Sequence, residues 1–172
     1  MSLDESQVRE IRALRIWAAI VVSWLVLFIV VSLGLAVALL AGSLAITVQL
    51  QEILICVAAA TLGSGISALV SAAERISHGW EFSGGQPYPA EEPKGKFVAR
   101  MIPFFMVRPF LGSAMGLLVY AGLTSGYPIA IQNAGQQSFS PPGLFFLAFL
   151  GGLFAKTFIE KLRAMFDTLF GK

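Results

Sequence analysis

IWAAIVVSWLVLFIVVSLGLAVALLAG, residues 16–42, holds no charged side chain and closes on a glycine. A helix needs about 20 apolar residues to cross roughly 30 Å of bilayer hydrocarbon, so this run is long enough to span one with tilt to spare. The remaining composition agrees with a membrane protein. Of 172 residues, 56% are hydrophobic and only 13% charged, with mean hydropathy +0.77. That charged share is roughly half what a soluble domain carries.

Working outward, three further apolar stretches cover about residues 53–73, 109–127 and 144–158. The turn-like Ala41–Ser43 and the short, weakly polar SLAITVQLQE (43–52) separate the first two. A polar connection, residues 74–108, divides the halves of the chain. The fourth stretch is short, and its helix is expected to continue into IEKLRAMFDTLF (159–170). The expected fold is an all-α membrane protein, one membrane domain over residues 1–172: a four-transmembrane-helix bundle with an amphipathic C-terminal helix.

Charge orients this bundle. Arg9, Arg12 and Arg15 precede the first span. Arg75, Lys94, Lys96, Arg100 and Arg108 lie between the second and third, and Lys156, Lys161, Arg163 and Lys172 follow the fourth. These are all 12 lysines and arginines, and the two other connections carry none. The positive-inside rule then predicts both termini cytoplasmic in the cell (inner) membrane. The same clusters offer contacts to anionic lipid head groups, although Asp4, Glu5, Glu10, Glu91 and Glu92 dilute the field. No basic stripe with interleaved aromatics supports nucleic-acid binding. The N-terminal segment mixes acids and bases ahead of a run too long for a signal-peptide core, so it is expected to be retained. Ser2 and Glu5 fit a capping box, and Val8, Ile11 and Leu14 share a helix face.

Small residues mark packing faces. Ala59, Gly63, Ser67 and Ser71 recur at four-residue spacing in the second span, and Gly112 and Gly116 repeat the device in the third. Such faces let backbones approach closely where hydrophobic driving force is absent. They serve either the chain's own bundle or an oligomeric or pore seam. In FFMVRPFLGSAMG (104–116), Arg108 is expected at the cytoplasmic start of the third helix, snorkelling to phosphates. Pro109 is expected in the first turn, where its missing N–H is harmless. Whether Arg108 meets a lipid phosphate or Glu160 or Asp167 is open at this stage.

Glu52 is the one acid outside the basic regions and is expected at the start of the second helix, favoured there by the helix dipole. Its sharper role is a carboxylate ring at the mouth of an oligomeric cation pore. On the last helix, Phe154, Phe158, Leu162, Met165, Phe166, Leu169 and Phe170 form an apolar stripe, while Lys156, Glu160, Arg163 and Asp167 alternate in sign. The stripe must cover the inner membrane surface, the end of its own bundle or a partner chain. The segment KFVARMIPFF (96–105) suggests a short interfacial helix with Phe97, Met101 and Phe104 toward lipid, and Trp80, Phe82 and Tyr88 suggest an aromatic belt.

No catalytic set emerges. One histidine, His78, and one cysteine, Cys56, cannot build a metal cluster, and there is no HExxH, Walker loop or GxGxxG after a strand. No cofactor and no metal are expected. The sequence TLGSGISAL, then MVRPFLGSAMGLLVY, then FLGGLFAKTFIEKLRAMFDTLF resembles a group of uncharacterised bacterial integral-membrane proteins. The group shares an RPxxG third span (here Arg108, Pro109, Gly112), a Tyr ending that span (Tyr120) and a GLFxxxxxxKLxxxFDTLF-type tail. In this chain the tail falls on Gly152, Phe154, Lys161, Leu162, Phe166, Asp167, Leu169 and Phe170. The resemblance covers about Thr61–Phe170, departs at ARMIPFFMV where the group is richer in Trp and Tyr, and implies architecture without an activity. Two functions follow as expectations: a structural or accessory subunit acting through helix packing, as a homo-oligomer or within a larger complex, or a homo-oligomeric ion channel.

Overall fold

A computed structural model of the chain describes residues 5–81, 87–88, 96–125 and 140–170. It contains α1 (Glu5–Leu40), α2 (Val48–Ser77), β1 (Trp80–Glu81), β2 (Pro87–Tyr88), a 3-10 turn (Ala99–Met101), α3 (Ile102–Thr124), α4 (Pro141–Leu153) and α5 (Ala155–Phe170). The two strands are two-residue pieces of one antiparallel pair, with Trp80 opposite Tyr88. Among the described residues, three helices are long and apolar enough to cross a membrane. A fourth candidate is the α4–α5 pair, broken by a 63° bend.

The helices run further than the apolar stretches suggest. α1 has 36 residues, about 54 Å at 1.5 Å per residue, and so outruns the hydrocarbon. Its far end closes as a Schellman motif. Gly42 adopts φ 66°, the Gly42 amide donates to the Leu39 carbonyl and the Ser43 amide to the Ala38 carbonyl. α2 begins at Val48 rather than near 53, because Gln51 ties it to the end of α1 through Nε2 donating to the Leu39 carbonyl at 2.7 Å. It also passes residue 73, keeping Glu74 and Arg75 helical on its last turns.

α2 is the central helix. In its most apolar window 61% of residues are buried, against 22% for α1 and 33% for α3. Two packed clusters flank it. One joins Val21 and Leu25 of α1 to Ala68 and Ala72 of α2 and to Phe97 and Phe105. The other joins Leu39, Ile55, Cys56, Ala59 and Ala60 to Leu144 and Ala148 of α4. The outward faces of α1 and α3 stay apolar, with Val30, Val31, Val107 and Leu118 all exposed. Lipid is the solvent such faces require.

Several expectations are corrected here. Phe97 does not face lipid. It is fully buried, stacked on Phe105 with centroids 6.3 Å apart, and its amide donates to the Gly79 carbonyl. Gly79 reverses the chain at φ 99°, a region glycine enters freely. Trp80 packs edge-on against Phe97 at 5.7 Å, so it belongs to this core rather than to an aromatic belt. The polar connection of 74–108 is correspondingly shorter, since its last residues already belong to the 3-10 turn and α3. Of the face formed by Val8, Ile11 and Leu14, the last two are buried and Val8 is exposed. Ser2, Phe82, Glu91, Glu92, Lys94 and the connection 126–139 lie outside the described residues, as do the side chains of Tyr88, Leu162, Arg163, Met165, Phe166, Leu169 and Phe170.

Candidate functional site

The seam at the middle of the bundle is built from missing side chains. A Cβ on Gly112 would come within 2.6 Å of the Ser64 Cβ and 2.7 Å of the Ala60 carbonyl oxygen. One on Gly116 would meet the Cys56 carbonyl oxygen at 2.5 Å, and one on Gly63 would meet the Leu153 amide at 2.9 Å. Gly152 of α4 abuts Ala60, whose Cα would stand 2.7 Å from an added Cβ. α3 and α4 therefore approach α2 on adjoining faces. The face used by α3 runs through Cys56, Ala60 and Ser64, one position off the Ala59–Gly63–Ser67–Ser71 stripe. Ala59 is buried beside α1 and α4, Gly63 receives α4, and Ser67 and Ser71 are half-buried. Cys56, Ala60 and Ser64 also recur at four-residue spacing, and pairing of the helices shows that this stripe rather than the neighbouring one receives α3.

Hydroxyls follow the same seam. Ser64 Oγ donates to the Arg108 carbonyl at 2.8 Å. Thr61 Oγ1 and Ser113 Oγ lie 2.8 Å apart, Thr61 is also 2.7 Å from the Val57 carbonyl, and Ser113 is 3.1 Å from the Pro109 carbonyl. Each hydroxyl has one proton, so at any moment one donates to the other and its partner donates to backbone. From α1, Trp24 Nε1 donates to the Met106 carbonyl at 3.3 Å. Ser64→Ala is expected to lower stability by about 0.5–1.5 kcal/mol, read from denaturant or thermal unfolding of the purified protein. Ser113→Ala should cost less, because Thr61 keeps the Val57 carbonyl.

The position of Pro109 is a second correction. α3 starts at Ile102, with Pro103 in its first turn, and Pro109 lies inside the helix. A proline there removes one amide and frees the Phe105 carbonyl from its partner four residues on. Membrane helices tolerate a proline where neighbouring helices pack against the backbone, and this part of α3 is held by Trp24 of α1 and Ser64 of α2, which donate to the Met106 and Arg108 carbonyls. Arg108 is thus not at the helix start but about 9 Å beyond Ile102 at about 1.5 Å per residue. Its side chain is only 6% exposed.

Helical side chains lean toward the N-terminus. The Arg108 guanidinium accordingly lies over the Phe104 ring, 5.0 Å from its centroid. Nη1 is buried with no hydrogen-bond partner among the described residues. Beside it opens a cavity of about 170 Å³ between α2, α3 and the α4–α5 break, lined by Ser64, Ser67, Phe104, Leu111, Lys156 and Glu160 among others. Were α4 to continue straight past Leu153, its next turn would stay on α2; the 63° bend carries α5 away and leaves this space. Lys156 and Glu160 pair at 3.6 Å on an exposed surface, an interaction of small energetic value. Asp167 is exposed, and Arg163's side chain lies outside the described residues.

Glu52 is half-buried in the second turn of α2, beyond the first-turn amides it was expected to serve. Among the described residues no group of three or more His, Cys, Asp or Glu side chains is placed to hold a metal ion. Comparisons with protein-family models, with curated proteins and with solved structures returned no match.

Proposed function

We propose that this chain is a non-enzymatic accessory protein of the cell (inner) membrane that docks a larger membrane complex through α5. In this reading it crosses four times, with the broken α4–α5 pair as the fourth span, and both termini are cytoplasmic. The observation that carries the proposal is the departure of α5. After the 63° bend, Phe154 and Phe158 of the apolar stripe stand exposed at the head of the amphipathic helix α5, as does Ile159 beside them, which leaves the membrane surface or a partner chain to cover them. Packing surfaces elsewhere are already used: the glycine seams of α2, α3 and α4 close against one another. The charge distribution supports the orientation. The resemblance over Thr61–Phe170 supports the architecture and adds no activity.

Extraction of the full chain from native membranes in mild detergent should give an assembly larger than one chain, with photo-crosslinkers at Phe158 or Ile159 trapping a discrete protein partner. Truncation after Phe158 should reduce it to a single chain while leaving the bundle folded. A monomeric full-length chain that crosslinks only to lipid would remove this reading. A crosslink between identical chains would replace the hetero-complex with a homo-oligomer. If such an oligomer conducts ions in planar bilayers and Glu52→Gln alters the conductance, the channel reading takes over.

A further inference from the structure

The cavity at the α4–α5 break joins two properties rarely found together. Its walls are almost wholly apolar, from Phe104, Leu111, Leu153 and Ile159, yet it is bordered by a guanidinium that is 6% exposed and has one nitrogen without a partner. A permanent charge is expensive at membrane depth, and the groups that border such charges mark ligand or ion sites. Among the described residues the compensation nearest Arg108 is incomplete. Ser64 is committed to the Arg108 carbonyl, and Glu160 is shared with Lys156. Phe104 contributes only a ring face. Counting Arg108 and Lys156 against Glu160, the lining carries one net positive charge.

We propose that this cavity is a binding site for the head group of an anionic phospholipid. A phosphodiester oxygen accepts from Arg108 Nη1, Lys156 and the Ser67 hydroxyl supply the rim, and the upper acyl chain lies along Leu111, Leu153 and Ile159. Guanidinium and phosphate match in charge and donor geometry. An apolar wall beside that contact suits an amphiphile and not a hydrated ion. The 170 Å³ volume holds a head-group phosphate with its first methylenes, and the half-open side lets the rest of the chain continue into the bilayer. The site shares Ile159 with the exposed surface of α5, but Phe154 and Phe158 lie outside its lining, so a crosslink from Phe158 tests the docking without reading this site.

The test uses full-length, delipidated protein in a neutral detergent, followed by native mass spectrometry and thermal melting. Phosphatidylglycerol should add as a defined single adduct and raise the melting midpoint, while phosphatidylcholine does so about tenfold more weakly. Arg108→Gln should weaken the phosphatidylglycerol adduct by about 10- to 100-fold, the loss of one charge-assisted contact, and Arg108→Lys should retain part of it. Because Arg108 variants alter the bundle as well, Ser67→Leu provides a second arm. It fills the cavity with Arg108 intact and should abolish the adduct at an unchanged unliganded midpoint. Equal adducts in wild type, Arg108→Gln and Ser67→Leu, or equal binding of both lipids, would overturn the proposal. Stabilisation by inorganic phosphate alone, lost in Arg108→Gln, would transfer the site to a soluble phosphate and overturn the lipid assignment.

Discussion

Gly152→Leu is expected to prevent assembly of the native bundle, whereas Gly34→Ala is expected to leave it intact or slightly stabilised. The two glycines both lie in apolar helices and differ in what faces them. Around Gly34 there is nothing within 4 Å of an added Cβ, and its surface is exposed. Alanine there regains about 0.5–1 kcal/mol of helix propensity. At Gly152 the added atom meets the Ala60 carbonyl group and Cα, which are main chain and cannot rotate aside. Overpacking a core that relaxes through side chains costs about 1–3 kcal/mol. Here relief demands that α4 move off α2 as a body, which also separates Gly63 from Phe149 and opens the contacts of Leu144 and Ala148. Size-exclusion profiles and thermal midpoints of the two variants in the same detergent measure the difference. Similar, wild-type-like behaviour of both would mean that the α2–α4 contact contributes little to the fold.

That contrast also shows how far the sequence could be read. Three apolar runs, 16–42, 53–73 and 109–127, give helices because a bilayer fixes a minimum span length and charge-free stretches of that length have few alternatives, whereas the shorter fourth run, which holds Lys156, falls on the broken α4–α5 pair. Gly112 and Gly116 do face α2, since only small residues permit backbone contact, but the α2 face they meet lies one position off the Ala59–Gly63–Ser67–Ser71 stripe. Helix ends were less legible. RP at 108–109 and IP at 102–103 are equally good start signals, and the contacts that hold α3 on both sides of Pro109, from Trp24 of α1 and Ser64 of α2, exist only once the helices are paired. Phe97 was misassigned for a related reason. An aromatic beside basic residues suits an interface, but the reversal at Gly79 turns it into the core. The bend at Phe154 has no proline to announce it, and the cavity it opens depends on three helices at once. No single-helix periodicity encodes such a space.

The second large effect concerns the charge itself: Arg108→Met is expected to stabilise the lipid-free protein and to lose that advantage when anionic lipid is added. Methionine follows the same unbranched stem and keeps the packing of the arginine methylenes, while the Ser64 bond is to backbone and survives. What disappears is a guanidinium with a buried nitrogen that has no hydrogen-bond partner among the described residues. Placing arginine at the centre of a membrane helix costs about 2.5–3.5 kcal/mol on insertion scales, the upper limit for Arg108, six residues into α3. Contact with the Phe104 face returns about 0.5–2 kcal/mol of this, so a deficit remains in the empty site. Removing the charge should therefore raise the melting midpoint of delipidated protein by a few degrees, at roughly 2–4 °C per kcal/mol for a chain of this size. Phosphatidylglycerol should lift wild type and not Arg108→Met, because only the arginine gains a partner. A variant that melts below wild type without lipid would show that the guanidinium is already satisfied within the chain. The order of the two midpoints thus reports whether Arg108 is retained for the fold or for what the fold receives.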